Sequence, residues 1–396
     1  MENKMKKTFV LISLLVLASM ILSACGTPAT AAPVVTEAPV VATEAPTATQ
    51  PPVPAWVAPD GALVAAPVDA APALDGMGDD AAWTNATEIV VPVSGGFNNF
   101  GTDVSIKAVY TADEVYFLVS YADPTESFFR SPWQKQEDGT WKKVTDPNDK
   151  GGDNNSVYED KMAFIWPITV VKNFETTGCF VACHAGENSD IKPYGNKYLG
   201  EGETADIWHW KSIRNLNQVD DQFLDSVKLD TSTPELQAKT IEAGRHSDAK
   251  DSGGYADNYA SMPDPADATK TVADKTKPGF TSPNIDMTTG APGFILDGEK
   301  VALDQAALDA LPAGSYIPGI VKSEIVGDRG DIKAGWKWAD GMWTLEFGRK
   351  LVTGSETDVQ FSDLAAQYYF GVAVFENAQV KHAFENGASF IVFQPK

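Results

Sequence analysis

The stretch VSIKAVYTADEVYFLVSY, residues 104–121, gives the clearest indication of the fold. From Val104 to Tyr110 apolar side chains alternate with others, which is the pattern of a strand with one buried face. The residues Thr111–Glu114 then interrupt the pattern, and a second apolar run continues to Tyr121. The stretch therefore predicts a β-hairpin with its apolar faces turned toward a core.

Further strand-like runs lie on both sides of a long polar middle section. Asp340-Gly341 between two aromatic-rich runs is a strong hairpin signal. We expect the other strands at Ile89–Val93, Lys161–Val171, Asp331–Trp338, Met342–Arg349, Tyr368–Phe375 and Ser389–Phe393. The simplest architecture is mainly β: a single antiparallel β-sandwich over residues 59–396, formed by both halves of this region.

The middle section, at about residues 173–325, is predicted to be a long, partly helical and partly irregular insertion. Gly and Asp are frequent there and hydrophobic periodicity is weak. Short helices are expected at Pro234–Ala243, with Thr233 as its N-cap, and near Leu303–Leu311. Because long loops in compact domains are commonly functional, we expect the insertion to surround a cofactor.

The N-terminal residues 1–24 have the features of a lipoprotein signal peptide. Lysines precede an apolar run from Phe9 to Leu22, which is too short for an ordinary spanning helix. The run ends in LSAC at Cys25, which resembles a bacterial lipobox and implies lipidation of that cysteine; a plain secretory signal is the alternative. Residues 25–58 are rich in Ala, Pro and Thr and predict an extended tether. The predicted location is the extracytoplasmic face of a bacterial membrane, with the lipid as the only membrane anchor.

The motif Cys179-Phe180-Val181-Ala182-Cys183-His184 brings two thiols and an imidazole together. Covalent haem attachment needs this set, because each thiol can add to a vinyl group of the porphyrin and His184 can ligate the iron. The usual spacing is C-x-x-C-H, and here three residues separate the cysteines. A local disulfide or a metal site is the alternative, but no second Cys/His cluster supplies the remaining zinc ligands. We predict one c-type haem, attached through Cys179 and Cys183.

The sixth ligand of the iron is open at this stage. His382, which follows a predicted core strand, is the preferred candidate, and His209 is the alternative. Trp208 and Trp210 bracket His209 and would shield one haem face; the competing interpretation is a pair of core tryptophans. The remaining candidates are His246, Met77, Met162, Met262, Met287 and Met342.

A second, weaker metal prediction concerns the polar loop 146–156. Asp146, Asn148 and Asp149 lie near a glycine pair there and suggest a calcium site. The loop lacks the glutamate that an EF-hand carries at its twelfth position. A solvated hairpin tip is therefore the better interpretation.

With these motifs in place, the chain resembles the haem-binding family that includes the γ subunit of ethylbenzene dehydrogenase. The family also contains electron-transfer subunits of related molybdenum enzymes of the DMSO reductase type and stand-alone c-type cytochromes. The most specific pieces of the resemblance are Cys179–His184 and Asp206–Lys211, supported by strand motifs at Glu159–Trp166, Gly327–Ile332 and Phe375–Ala383.

This resemblance implies a sandwich like that of family-9 carbohydrate-binding modules, holding one haem lined by Trp208 and Trp210. The γ subunits hold a b-type haem between a methionine and a lysine late in the chain. The covalent motif of this sequence departs from that pattern. A late ligand remains implied, which favours His382, with Lys381 beside it as a fallback.

Three functions are consistent with the sequence. The first is a lipid-anchored monohaem c-type cytochrome that transfers electrons and is not itself an enzyme. The second is a haem subunit of a molybdenum oxidoreductase, and the third is a non-redox carbohydrate-binding or haem-sensor module. A net charge of −23 argues against nucleic acid as a partner and fits a redox partner with a basic docking patch.

Overall fold

The strand pairing is taken from a computed structural model, which describes residues 56–149, 154–182, 191, 197–241 and 243–396. The predicted signal peptide, Cys25 and nearly all of the predicted tether lie outside the described residues, as do Cys183 and His184 of the cysteine motif. No helix among the described residues has both the length and the apolar character needed to cross a bilayer.

Strands dominate the part of the chain that the structure describes. The first ten are β1 (Leu63–Pro67), β2 (Ile89–Ser94), β3 (Thr102–Tyr110), β4 (Glu114–Ala122), β5 (Trp133–Lys135), β6 (Trp141–Lys143), β7 (Lys161–Pro167), β8 (Ala205–Lys211), β9 (Asp220–Leu224) and β10 (Arg245–Ser247). The next eight are β11 (Ser252–Asp257), β12 (Ala260–Pro263), β13 (Thr271–Asp274), β14 (Phe280–Thr281), β15 (Ile295–Leu296), β16 (Val301–Ala302), β17 (Tyr316–Ile317) and β18 (Ile320–Val326). The last five are β19 (Lys333–Ala339), β20 (Met342–Lys350), β21 (Tyr368–Phe375), β22 (Ala383–Glu385) and β23 (Ser389–Phe393).

The helices of the described residues are short. The α-helices are α1 (Phe174–Thr177), α2 (Pro234–Thr240) and α3 (Gln305–Ala310). Thr233 caps α2 through its side chain, which accepts a hydrogen bond from the backbone of Leu236 at 3.2 Å, as the sequence predicts. Single 3-10 turns lie at Ala81–Trp83, Phe97–Asn99, Gly178–Ala182, Asp297–Glu299 and Asp328–Gly330.

The main sheet folds into two layers that are joined along one side. One layer runs β3-β4-β20-β19 and the other runs β21-β7-β8-β9-β10. The joining strands are β1 and β23 at one end and β2 and β22 at the other. All but the β1 pairs are antiparallel, so the predicted mainly β, antiparallel sandwich is confirmed.

The core lies between the layers and is rich in aromatic rings. Val104, Ile106, Ala108 and Tyr110 all point into it, which confirms the alternation read from the sequence. The largest side chains that are fully buried there include Phe117, Phe164, Trp166, Trp208, Trp210, Trp343 and Phe347. The predicted hairpin at Asp340-Gly341 is also confirmed, with both residues at positive φ (52° and 79°) between paired strands β19 and β20.

The side of the sandwich opposite the joining strands is closed by backbone hydrogen bonds. The amide of Val219 donates to Ile332 at 2.9 Å, and the amide of Ala334 donates to Asn217 at 3.1 Å. We call this contact between residues 217–219 and 332–334 the seam. It brings the segment that precedes β9 against the segment that leads into β19.

Residues 173–325 were expected to form one insertion outside the sandwich, but part of this range belongs to the main sheet. Strands β8, β9 and β10 lie inside that range but extend the main sheet beyond β7. Strand β8 shows no simple polar–apolar alternation, because most of its side chains are buried on both faces of the sheet. The remainder of the range forms small two- and three-stranded sheets around the sandwich.

Candidate haem site

The described part of the cysteine motif, residues 179–182, lies on the outer face of the β7–β21 layer. Helix α1 and the 3-10 turn Gly178–Ala182 cross this face, and Cys179 is buried in a small apolar cluster beneath them. The cluster is separate from the main core and contains Ile165, Val171, Phe174, Cys179, Ala182, Leu199, Ala205 and Leu224. The cysteine is thus held against the sheet by apolar packing.

Two glycines allow this close approach. Gly178 has φ +54°, and a Cβ at this position would overlap the carbonyl oxygen of Gly387 in the turn before β23. At Gly371 in β21, a Cβ would lie 3.1 Å from the backbone nitrogen of Cys179 and 3.3 Å from its Cβ. Sequence reasoning missed Gly371, although an isolated glycine in an apolar strand is a known sign of close backbone approach.

Strand alternation separates His209 from the two tryptophans beside it. Trp208 and Trp210 are 1% and 0% exposed and pack in the main core, against Trp166 and Trp343 respectively. His209 points to the opposite, outer face of β8. The indoles therefore bracket the imidazole in sequence but not in space, which corrects the expectation that they shield a haem face beside His209.

The protonation of His209 follows from its hydrogen bonds. Nδ1 lies 3.2 Å from Oε1 of Gln222, and Arg245, which can only donate, contacts the same oxygen at 3.0 Å. Nδ1 therefore carries the proton and Nε2 carries the lone pair. Nε2 is buried and has no hydrogen-bond partner among the described residues. Desolvation, followed by the charges of Lys211 and Lys161, lowers the pKa of His209 well below its usual value, so the ring is neutral.

His382 presents the same type of lone pair. Its Nδ1 donates to the carbonyl of Val380 at 2.8 Å, which leaves Nε2 unprotonated in the neutral ring. Desolvation, with a smaller contribution from Lys197, lowers the pKa of His382 to about 3. An imidazole fixed by a backbone carbonyl in this way is typical of metal-ligating histidines. The neighbouring Lys381, the fallback ligand, is exposed.

A row of aromatic rings connects the cysteine motif to both histidines. Phe180 stacks on Phe384 at a centroid distance of 6.0 Å, and Phe384 lies 6.1 Å from His382. Phe375 follows at 4.6 Å from His382, and His209 stacks on Phe375 at 5.6 Å. His382 is therefore closer to the motif than His209 along this row. Both imidazoles therefore contact the ring of Phe375.

The other ligand candidates lie away from this face or are already engaged. His246 lies 3.1 Å from the carboxylate of Asp225, and Met162 is buried in the main core. Met287 packs in a separate cluster around Trp133. Of the other methionines, Met77 and Met342 are exposed and Met262 belongs to the small β12–β13 sheet.

The face around His209 and His382 fits a haem group in its chemistry. The apolar cluster at Cys179 suits a porphyrin, and two imidazole lone pairs suit its iron. Basic side chains, among them Lys211, Arg214 and Arg245, lie near His209 and would suit the negative propionate groups. Burial lowers the pKa of Lys161 well below its usual value; its Nζ lies 3.9 Å from the ring centroid of Phe375 and donates to the carbonyl of Gln379 at 2.8 Å.

The family model described as ethylbenzene dehydrogenase matches residues 80–387, which is most of the chain. The chain belongs to the ethylbenzene dehydrogenase family. This confirms the resemblance seen in the sequence and associates the chain with haem and with an oxidoreductase complex. The matched residues include both candidate histidines and the described part of the cysteine motif.

Solved structures similar to this family member include a family-9 carbohydrate-binding module. A family-9 carbohydrate-binding module from Caldicellulosiruptor kristjanssonii in complex with glucose has 8% identity and a TM-score of 0.30, over 85% of this chain and 96% of that one. A carbohydrate-binding protein from Bacteroides uniformis has 6% identity and a TM-score of 0.28, over 84% of this chain and 98% of that one. A search of curated proteins gives no match.

The polar loop 146–156 is held by its own hydrogen bonds. Asp146 accepts from the amide of Asn148 at 2.7 Å and, through its other oxygen, from Ser156 at 2.6 Å. The side chain of Asn154 accepts from the amide of Asp146 at 2.7 Å. Residues 150–153 lie outside the described residues, so calcium binding by this loop stays a prediction.

Proposed function

We propose that this member of the ethylbenzene dehydrogenase family is a monohaem c-type cytochrome that transfers single electrons. The observation that carries the proposal is the position of Cys179. The first cysteine of a haem-attachment motif lies on the same face as His382, and the next residue, Phe180, stacks on Phe384, which contacts His382. A local disulfide with Cys183 would leave the two oriented imidazoles of this face without a function.

In this proposal Cys179 and Cys183 would attach the haem, His184 would ligate its iron, and His382 would close the site, with His209 as the alternative. The haem would supply a one-electron couple, and the protein sets the potential through ligands and burial. Burial keeps His382 and His209 neutral at physiological pH, so that no proton competes for Nε2. Arg214 and Arg245 place positive charge beside His209.

The proposed setting is the extracytoplasmic face of a bacterial membrane. The LSAC sequence at Cys25 supports a lipid anchor, and residues 25–58 would act as a tether. The acidic chain, with a net charge of −23, would dock on a redox partner with a basic patch. Such docking would weaken as the ionic strength rises.

The test is an absorption spectrum of the purified protein with a pyridine haemochrome assay and a mass measurement after denaturation. We expect one haem per chain that stays attached in denaturant. Cys179→Ala and Cys183→Ala should each leave a haem bound through one thioether at most. A purified wild-type protein without covalent haem would overturn the proposal.

A haem subunit of a molybdenum oxidoreductase is the second candidate, and the family match favours it. The same site would serve both roles. Purification from the native cell envelope under mild conditions distinguishes them. A subunit would elute with a large molybdenum-containing partner, whereas a free-standing cytochrome would elute alone.

A further inference from the structure

Five buried or half-buried aspartates converge near the seam. Asp206, Asp221 and Asp358 each place a carboxylate oxygen within 4.8 Å of the others. Asp248, Asp328 and Asp358 form a second group with the same spacing. Asp358 belongs to both groups, so they form one continuous cluster, which we call the aspartate cluster.

The three carboxylates of the first group each retain oxygen atoms that the protein does not use. Asp206 accepts through Oδ2 from Trp208 at 2.9 Å, from Arg349 at 2.9 Å and from the amide of Val359 at 3.0 Å. Its Oδ1 is buried without a hydrogen-bond partner among the described residues. Asp221 is similar, with Oδ1 accepting from the amide of Gln222 and Oδ2 unpartnered.

The carboxylates of Asp358 and Asp248 make fewer hydrogen bonds than those of Asp206 and Asp221. Asp358 and Asp248 are 1% and 5% exposed, and no oxygen of either carboxylate makes a hydrogen bond of good geometry among the described residues. The side chains of Thr357 and Thr353 make only weaker polar contacts with Asp248 and Asp358, respectively. Asp328 accepts from Ser355 at 2.8 Å. Buried polar atoms are nearly always paired in folded proteins, so a concentration of unpaired carboxylate oxygens at one point requires an explanation.

Protein cations do not balance the charge of the cluster. Arg349 lies 2.9 Å from Asp206 and 3.6 Å from Asp358, and it is the one buried guanidinium among the described residues that contacts the first group. Arg329, near Asp328 in sequence, is bound to Asp220 instead. Several negative charges therefore lack a counter-charge, which is costly inside a protein unless protons or a metal ion neutralise them.

We propose that the aspartate cluster binds a divalent cation, Ca²⁺, with Asp358 shared between two adjacent positions. All the available donors are carboxylate oxygens, which a hard cation prefers. Ca²⁺ accepts six to eight oxygens in irregular geometry and bidentate carboxylates, whereas Mg²⁺ usually keeps several waters, for which a site this buried has little room. The site does not depend on the proposed haem.

The ion would connect parts of the chain that are distant in sequence. Asp206 and Asp221 belong to β8 and β9, whereas Asp358 lies in the connection between β20 and β21. Asp248 follows β10 and Asp328 begins the 3-10 turn before β19. A bound Ca²⁺ would hold the two layers together beside the seam, so its removal should lower the stability of the whole sandwich.

The test compares the full chain with and without metal. Purified wild-type protein should contain one or two Ca²⁺ ions per chain by plasma mass spectrometry, and EGTA should remove them. Adding CaCl₂ at a hundredfold excess over its dissociation constant should raise the melting temperature by roughly 4 °C. Asp358→Asn should weaken Ca²⁺ binding, measured by titration calorimetry, by more than about tenfold.

The matched control is Asp103→Asn, which removes the same charge from an exposed position in β3 and should bind Ca²⁺ like the wild type. If Asp358→Asn does not fold, the metal content and the Ca²⁺-dependent melting temperature of the wild type still decide whether the Ca²⁺ site exists. A wild-type protein without bound metal, and with a melting temperature that CaCl₂ leaves unchanged, would overturn the site. Preferential binding of Mg²⁺ would overturn the choice of ion.

Discussion

At the scale of single residues, the two candidate histidines differ in position and not in protonation. Both are neutral and both carry the lone pair on Nε2. His382 is separated from Phe180 of the cysteine motif by the ring of Phe384 alone, whereas His209 lies beyond Phe375 as well. Proximity to the attachment point is therefore what favours His382.

We expect His382→Ala to change the haem iron from low spin to high spin. The substitution removes the proposed sixth ligand, and absorption and electron paramagnetic resonance spectra measure the change. His209→Ala is the matched control and should leave the spin state as in the wild type. The reverse result would assign the ligand to His209, and no change in either variant would exclude both.

A second residue-scale feature is a pair of buried carboxyls at Asp123 and Asp160. Asp123 accepts from the amide of Thr125 at 3.1 Å, while its other oxygen is buried without a partner among the described residues. Desolvation, followed by the charge of Glu376, raises the pKa of Asp123 to about 7. Desolvation and the charge of Asp123 raise the pKa of Asp160.

This pair predicts a pH-dependent stability. A folded-state pKa near 7 means that native Asp123 keeps a proton that the unfolded chain loses above about pH 4. The free energy of unfolding should therefore fall as the pH rises from about 4 to about 7. Asp123→Asn should weaken this dependence and be more stable than the wild type at pH 8, by about 1–3 kcal/mol.

Denaturant unfolding at several pH values measures this difference. Asp113→Asn, at an exposed position in the turn between β3 and β4, is the control and should follow the wild type. If Asp123→Asn and the wild type are equally stable at pH 8, ionising the Asp123 carboxyl does not lower the free energy of unfolding, and the prediction is wrong.

At the scale of elements, the contact between the cysteine motif and β21 is the feature that builds the candidate site. The 3-10 turn Gly178–Ala182 rests on the sheet because Gly178 and Gly371 have no Cβ. We expect Gly371→Val to displace Cys179, lower the haem content per chain by more than half and reduce the free energy of unfolding by about 1–3 kcal/mol. The haemochrome assay and denaturant unfolding measure the two effects.

The control for this contact is Gly298→Ala. A Cβ at Gly298 would meet no atom within 4 Å, so the variant should retain the haem content and stability of the wild type. Normal haem attachment in Gly371→Val would mean that the motif does not need to seat against β21.

At the scale of the whole molecule, the folded sandwich is proposed to be attached to the membrane by a lipid anchor at Cys25. Cys25→Ser should move the protein from the membrane fraction to the soluble fraction, because the thiol that would carry the lipid is absent. Fractionation followed by immunoblotting measures this. Cys183→Ser is the matched control, since it changes another cysteine and should remain with the membranes. Retention of Cys25→Ser in the membrane fraction would contradict the anchor.

The sandwich and its hairpins were predictable because their signals are local. Alternation with period two identifies a strand with one buried face, as in β3, and Asp340-Gly341 supplies the positive φ angles that a tight hairpin requires. The same local rule failed for β8, where side chains on both faces are buried. The resemblance carried by the cysteine motif and the Trp-His-Trp stretch then gave the family.

The tertiary structure alone decided which residues share a face and a site. Sheet alternation turned Trp208 and Trp210 into the core and His209 outward. Asp206, Asp221 and Asp358 are distant in a sequence that is rich in acidic residues, and only the pairing of β8 with β9 and the course of the chain before β21 bring them together. Strand register and layer packing depend on contacts between distant residues, and no local pattern encodes those contacts.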